Sequence, residues 1–201
     1  FLFLSFTYII ITQGWNLVAG YTGQISLGQH AFFGLGAYTT AMNWIYDITK
    51  TGYYFDPVTM LLSGIVPAIV AIAIGIPLLS KLRGDYFALG TLGLGEIIRV
   101  YFIKGGTYTG GPIGLLIPSN VYASMRPYYW TGLFLALFAT AVVYFLTRSR
   151  IGLALTAIRE DETAAAANGI NILKYKIFAF SVGAFLSGLG GSLTAYYLFH
   201  I

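Results

Sequence analysis

Six stretches of this chain, 1–19, 26–46, 58–80, 86–104, 128–147 and 177–199, are apolar over close to the roughly 20 residues that an α-helix needs to cross a bilayer. No other feature limits the possible folds as strongly. The runs are rich in Gly, Leu and Ile and lack the period-two alternation of a membrane barrel. The sequence therefore reads as an all-α integral membrane protein, a polytopic helical bundle of about six spans forming a single domain over 1–201. Composition agrees: 57% of residues are hydrophobic and only 9% charged, far from the balance of a soluble domain. The chain opens on Phe1 inside one apolar run and stops at Ile201 just after another, with no basic leader, so it reads as a piece truncated at both ends.

Charge sets the expected orientation. Lys81, Arg83, Arg148, Arg150, Arg159, Lys174 and Lys176 fall on one side if all six segments cross, and they are most of the 11 basic residues. By the positive-inside rule that side is cytoplasmic, and the turn at 21–25 shares it. The opposite side carries Tyr53, Tyr54, Tyr128, Tyr129 and Trp130, the residue types that favour a membrane interface. The net charge of +4 is spread over many loops, which gives no support to nucleic-acid binding. With no cysteine, thiolate nucleophiles and Cys-ligated zinc are excluded.

The longest polar interruption on the basic side is 148–176, "RSRIGLALTAIREDETAAAANGINILKYK". Its centre is written as a short helix. Glu160, Asp161 and Glu162 crowd the end where the macrodipole favours anions, four alanines follow, and Gly169 is placed to close it. About eight residues make a helix only about 12 Å long, marginal in water without a partner. Its alanines would let a soluble subunit approach the backbone closely. Packing of the same turn on its own bundle explains the pattern equally well.

Within the spans, Glu96 is the ionisable residue that membrane burial makes most costly, and Arg99 stands at i+3 to neutralise it. Glu96 is read as a candidate for the substrate path, with a self-neutralised packing pair as the alternative. "GYTGQISLGQH" sets three glycines beside Gln24, Ser26 and Gln29 at the entry to an apolar span. Irregular backbone at membrane depth survives where it is buried in protein or lines a passage, so these three join Glu96 on the expected path. His30, Gly34, Ala37 and Ala41 form a small-residue stripe read as helix packing, as do Gly183, Ser187, Gly190 or Gly191, and Thr194 in the last span. His30 has only His200 as a fellow histidine and no acidic cluster beside it, so no metal site is read. The glycine-rich segment 105–114 lacks the P-loop arrangement. No Ser/His/Asp, metal-hydrolase or paired-carboxylate pattern supports an intramembrane enzyme. A channel or secondary transporter working alone remains open, with Glu96, Arg99 and His30 as its ion-pathway groups.

Four blocks together resemble one family. "AIREDETAAAANGINILKYK" is similar to the cytoplasmic coupling segment of bacterial ABC importer permeases, in the form found in branched-chain amino acid permeases of the LivM type. "NLVAGYTGQISLGQHAFFGLGAYTTA", "LRGDYFALGTLGLGEIIR" and "TGGPIGLLIP" follow the order and approximate spacing of that family. The resemblance implies a multi-pass permease of the bacterial inner membrane. It implies a second related permease, two ATPase subunits and a periplasmic solute-binding protein as partners. ATP and Mg would be used by the ATPases, with no cofactor in this chain. Leucine, isoleucine and valine are the implied substrates; related permeases carry urea, short amides and other amino acids. Coupling to the ATPases would fall to Arg159, Glu160, Asp161, Glu162, Ala164, Ala165 and Gly169. Alignment on Gly169 puts Thr163 where the general motif has glutamate and leaves Glu162 one position early. The resemblance also makes the 105–114 loop a candidate docking surface for the binding protein.

Overall fold

The computed structural model describes residues 2–46, 56–115 and 126–198. Tyr53, Tyr54 and His200 lie outside the described residues. Among the described residues eight α-helices follow in order: α1 (Leu2–Thr22), α2 (Gln29–Ile45), α3 (Pro57–Lys81), α4 (Asp85–Lys104), α5 (Arg126–Thr147), α6 (Arg150–Glu160), α7 (Glu162–Ala167) and α8 (Ile172–Leu198). Single 3-10 turns at Gly106–Tyr108 and Gly111–Ile113 follow α4. α1, α3, α4, α5 and α8 are long and apolar enough to cross a membrane.

α8 is the axis, packed against α1, α2 and α3, while α5 covers α1 and α4 leans on α2 and α3. An apolar helix buried around most of its circumference needs neighbours at very short range, and glycine supplies it. A Cβ on Gly183 would lie 2.7 Å from the Gly14 carbonyl oxygen, and one on Gly191 would lie 2.0 Å from that of Phe33. On the α3 side a Cβ on Gly188 would come within 2.2 Å of the Ser63 carbonyl oxygen. Pro67, inside α3, has no N–H to offer Ser63, so that carbonyl is free to turn toward α8. The last-span stripe therefore packs as expected, with Gly188 added to it.

The other stripe divides. Ala37 and Ala41 are buried, but the α2 glycine that meets α8 is Gly36, against Gly188. His30 is exposed, and a Cβ on Gly34 would meet nothing within 4 Å. These two sit beside α4 instead. Between α2 and α8 runs a series of polar contacts: Gln29 Nε2 donates to Ser187 Oγ at 2.9 Å, Thr40 Oγ1 to Ser192 Oγ at 2.9 Å, and Trp44 Nε1 to the Tyr196 hydroxyl at 2.9 Å.

Three boundaries differ from the sequence reading. The second expected span is helical only from Gln29, not from residue 26: α2 has 17 residues, about 25 Å, is not among the five helices of crossing length, and follows irregular chain over 23–28. α8 starts at Ile172 rather than 177 because the Asn171 side chain caps the Lys174 N–H at 3.1 Å. α6 went unread inside the polar loop. Ser149 caps it through the Ile151 N–H at 3.2 Å, and Leu155 and Ile158 bury its inner face. Tyr128 is also not interfacial: it is 2% exposed, edge-on to Phe3 and Tyr197, whereas Tyr129 and Trp130 are exposed.

Candidate functional site

Two unusual segments meet at the basic end of the bundle. The first is the break between α1 and α2. Thr22 Oγ1 and the Gln24 N–H both return to the Val18 carbonyl, at 2.6 and 3.3 Å, and end α1. Gly23 turns the chain with φ +69°, and the Arg159 side chain lies 3.0 Å from where its Cβ would be. Beyond it the strand-like period is visible in burial: Gln24 and Ser26 face in, Ile25 and Leu27 face out. Non-helical backbone inside a bundle needs side-chain partners. Trp15 Nε1 donates to the Ser26 carbonyl at 3.0 Å, and Thr91 Oγ1 on α4 accepts the Leu27 N–H at 3.1 Å. Gly28 then passes against the Thr91 backbone so closely that a Cβ would stand 2.2 Å from its oxygen.

The sequence-expected path residues Gln24, Ser26 and Gln29 are therefore brought together on one buried segment, 5%, 1% and 6% exposed. Gln24 Oε1, Ser26 Oγ and Gln29 Oε1 have no hydrogen-bond partner among the described residues. Buried polar oxygens without a partner from the chain are ones that an ordered water can satisfy. Glu96 is not with them. It pairs with Arg99 at 3.3 Å on the outward face of α4, with side-chain exposures of 55% and 67%. The sequence reading of an i, i+3 pair holds, but the pair is not enclosed by this chain.

The second segment is α6–α7. Asp161 caps α7, accepting from the N–H groups of Thr163 and Ala164 at 2.7 and 3.1 Å and from the Thr163 hydroxyl. Those bonds, the hydroxyl foremost, hold its carboxyl below the usual aspartate value. At the other end Gly169 has φ +81°, with its N–H on the Ala166 carbonyl at 2.9 Å and the Ile170 N–H on that of Ala165 at 3.1 Å. This is the paired Schellman closure. Ala164, Ala166 and Ala167 face outward. Ala165 does not: it is 3% exposed, packed into its own chain, so its methyl is not available to a docking subunit. The inward turn follows from helix period, because Ala165 shares a face with Glu162.

Glu162 also points inward. Its Oε1 receives Lys176 Nζ at 2.5 Å and Gln24 Nε2 at 3.4 Å, joining α7, α8 and the broken crossing at one oxygen. Arg159 reinforces the junction, donating from Nη1 to the Gly20 carbonyl at 2.9 Å while Nη2 pairs with Glu160 at 2.7 Å. Sequence reasoning missed the roles of Lys176, Thr91 and Trp15, and read Ser187 as helix packing without its bond to Gln29. Lys176 left a signal: with Ala179, Phe180 and Gly183 it occupies i, i+3, i+4 and i+7 of a buried face, where a lysine requires a partner.

The whole chain, residues 1–201, matches the family described as branched-chain amino acid transport system / permease component. The chain belongs to this permease family. The high-affinity branched-chain amino acid transport system permease proteins LivM of Salmonella typhimurium and Escherichia coli are each 32% identical to it over 96% of its length. A probable branched-chain amino acid transport permease protein LivM of Methanocaldococcus jannaschii is 22% identical over 96% of the chain and 66% of its own length. The ribose import permease protein RbsC of Haemophilus influenzae is 29% identical over 63% of the chain. The chain spans about half the length of the bacterial LivM relatives, 51% in each case. No solved structure matches it. As a member of this permease family with five apolar helices of crossing length, it is a multi-pass membrane protein.

Proposed function

We propose that the chain serves as a permease subunit of an ABC importer that moves branched-chain amino acids inward. Separate ATPase subunits, using ATP and Mg, dock on the outer face of α7. A second related permease completes the passage, and a periplasmic solute-binding protein delivers the substrate. One observation carries the coupling part of this reading: Glu162, on the exposed short helix, shares an oxygen between buried Lys176 and Gln24 of the broken crossing. A subunit that displaces α7 thereby acts on Gln24, Ser26 and Gln29 without crossing the membrane itself. Family membership and the names of the LivM relatives support the substrate class.

Reconstitution of the complete importer in proteoliposomes tests this. Labelled leucine should enter only with ATP inside and binding protein outside, and excess isoleucine or valine should compete where urea and ribose do not. Leucine entry without the ATPase subunits would favour a stand-alone transporter. Competition by urea alone would keep the coupling scheme and replace the substrate.

A further inference from the structure

α4 is the least buried of the five helices of crossing length. Its Phe87, Thr91, Leu94 and Gly95 face the rest of the chain. On the opposite side Tyr86, Leu89, Gly93, Glu96, Val100 and Ile103 follow one another at alternating steps of three and four residues, a narrow stripe along the helix. All six are exposed among the described residues, and a Cβ on Gly93 would meet nothing within 4 Å. A purely apolar stripe would suit lipid tails, and the outward side of α5, with Phe134, Leu137 and Phe145, is of that kind. Glu96 makes α4 different. Away from the helix ends, and leaving aside Lys176 with its Glu162 partner, Glu96 and Arg99 are the charged residues of the five helices. Glu96 lies about 12 Å along the axis from Lys104 and about 16 Å from Asp85, so its carboxylate reaches neither end. Arg99 turns back toward it, at 3.3 Å, instead of toward the nearer end. Among the described residues this is the guanidinium's single hydrogen bond, so most of its five donors remain open.

We propose that this stripe of α4 is the face on which the second permease subunit packs, through a membrane-crossing helix that carries an acid–base pair at the same height. This rests on the importer reading above and names the surface by which the two permeases meet. Charge fixes the chemistry of the partner. Hydrocarbon does not suit the stripe, because an ion pair so far from either interface is costly where nothing solvates it. A soluble subunit does not reach it, because the pair has apolar stripe residues on both sides along a crossing helix. A wholly apolar helix would bury the pair with most of the Arg99 donors unmet. A helix with its own acid and base one turn apart closes a ring of two acids and two bases, in which each base bridges both carboxylates and the net charge is zero. Gly93, one turn from Glu96, lets the two backbones come close enough for those side chains to reach across.

Benzoylphenylalanine placed at Ile97, which is 69% exposed beside the stripe, reports what lies there when the complete importer is irradiated in nanodiscs. The expected adduct is with the second permease, identified by mass spectrometry. The same probe at Phe134 on α5, 66% exposed, should give lipid adducts. Gly93→Leu is the second arm: its side chain enters space left open by its own chain but wedges the proposed contact. At equal membrane abundance, the second permease retained on the tagged full chain should fall about tenfold, whereas Gly93→Ala should retain most of it. Where Gly93→Leu does not accumulate, the adduct at 97 decides alone. An adduct at 97 with lipid only or with another part of the same chain would overturn the proposal. So would the lack of any adduct, expected of a water-filled passage, or full retention of the second permease by Gly93→Leu. Co-purification with the unsubstituted chain separates the two readings. If the second permease is present but is not captured from position 97, the α4 surface alone fails; if no second permease accompanies the chain, the importer reading fails first.

Discussion

Lys176 Nζ lies 2.5 Å from Glu162 Oε1 with only 4% of the lysine residue exposed, so a buried ammonium on α8 has its counter-ion on α7. The asymmetry between the partners predicts unequal mutants. Glu162→Gln leaves the buried ammonium uncompensated, a loss of about 3–5 kcal/mol for pairs of this kind. Lys176→Met leaves a carboxylate that can turn toward water. Thermal unfolding in detergent should rank Glu162→Gln as the less stable variant, and the double substitution should recover part of its loss. Equal destabilisation by the two single variants, with strict additivity, would show that the pair is not coupled.

Neighbouring alanines on α7 should behave oppositely. Ala165→Arg forces a long charged side chain into a site that is 3% exposed and should disorder the segment in the isolated chain, visible as faster proteolysis between 160 and 170. Ala164→Arg projects outward and should leave proteolysis unchanged while reducing co-purification of the ATPase subunits. If Ala164→Arg binds ATPase normally, the outer face of α7 is not the docking surface.

Gly169 isolates backbone geometry from crowding, since its φ is +81° and a Cβ there would touch nothing within 4 Å. The cost of a side chain is then conformational. Asn, which tolerates the left-handed region, should lose little; Val should lose at least about 1–2 kcal/mol. Amide hydrogen exchange across 164–170 should rise in the order wild type, Gly169→Asn, Gly169→Val.

The Asp161 cap gives a pH dependence of defined sign. Its carboxyl is held low by the Thr163 hydroxyl and by the N–H groups of Ala164 and Thr163. A depressed folded-state pKa means the stabilisation is present above the ordinary aspartate value and is lost as pH falls from there through the lowered one. Protection of the Thr163 and Ala164 amides, corrected for intrinsic exchange, should fall over that window. In Asp161→Asn it should be smaller and flat.

The parts of this architecture that local chemistry writes were readable in the residues. Asp161 and Gly169 bracket α7 because capping depends on the few residues around each helix end. Gln24, Ser26 and Gln29 stood out because polar side chains beside glycines at a span entry have few other uses. What depended on distant contacts was not readable. The irregular chain over 23–28 is held by Trp15 of the preceding helix and by Thr91 on α4, and no local pattern announces either contact. His30 and Gly34 have the spacing of Ala37 and Ala41, but the latter pair is buried toward α8 and the former lies beside α4, a division set by which helices pack on α2. α6 was obscured because its charged flanks dominate the short apolar face of Leu155 and Ile158.

The junction of Pro67 with Gly188 leaves the middle of the bundle with no clearance. A methyl group at 188 would sit 2.2 Å from the Ser63 oxygen, so α3 and α8 would have to part, and Ser187 and Ser192 would be carried off their partners on α2. The smallest possible edit to a side chain, one hydrogen exchanged for a methyl, would thus be felt at the broken crossing and toward the far end of α2 alike. Restoring the missing N–H with Pro67→Ala would draw the Ser63 carbonyl back into its own helix. In that background the same methyl should be easier to accommodate, which makes an imino acid on one helix the condition for the glycine on another.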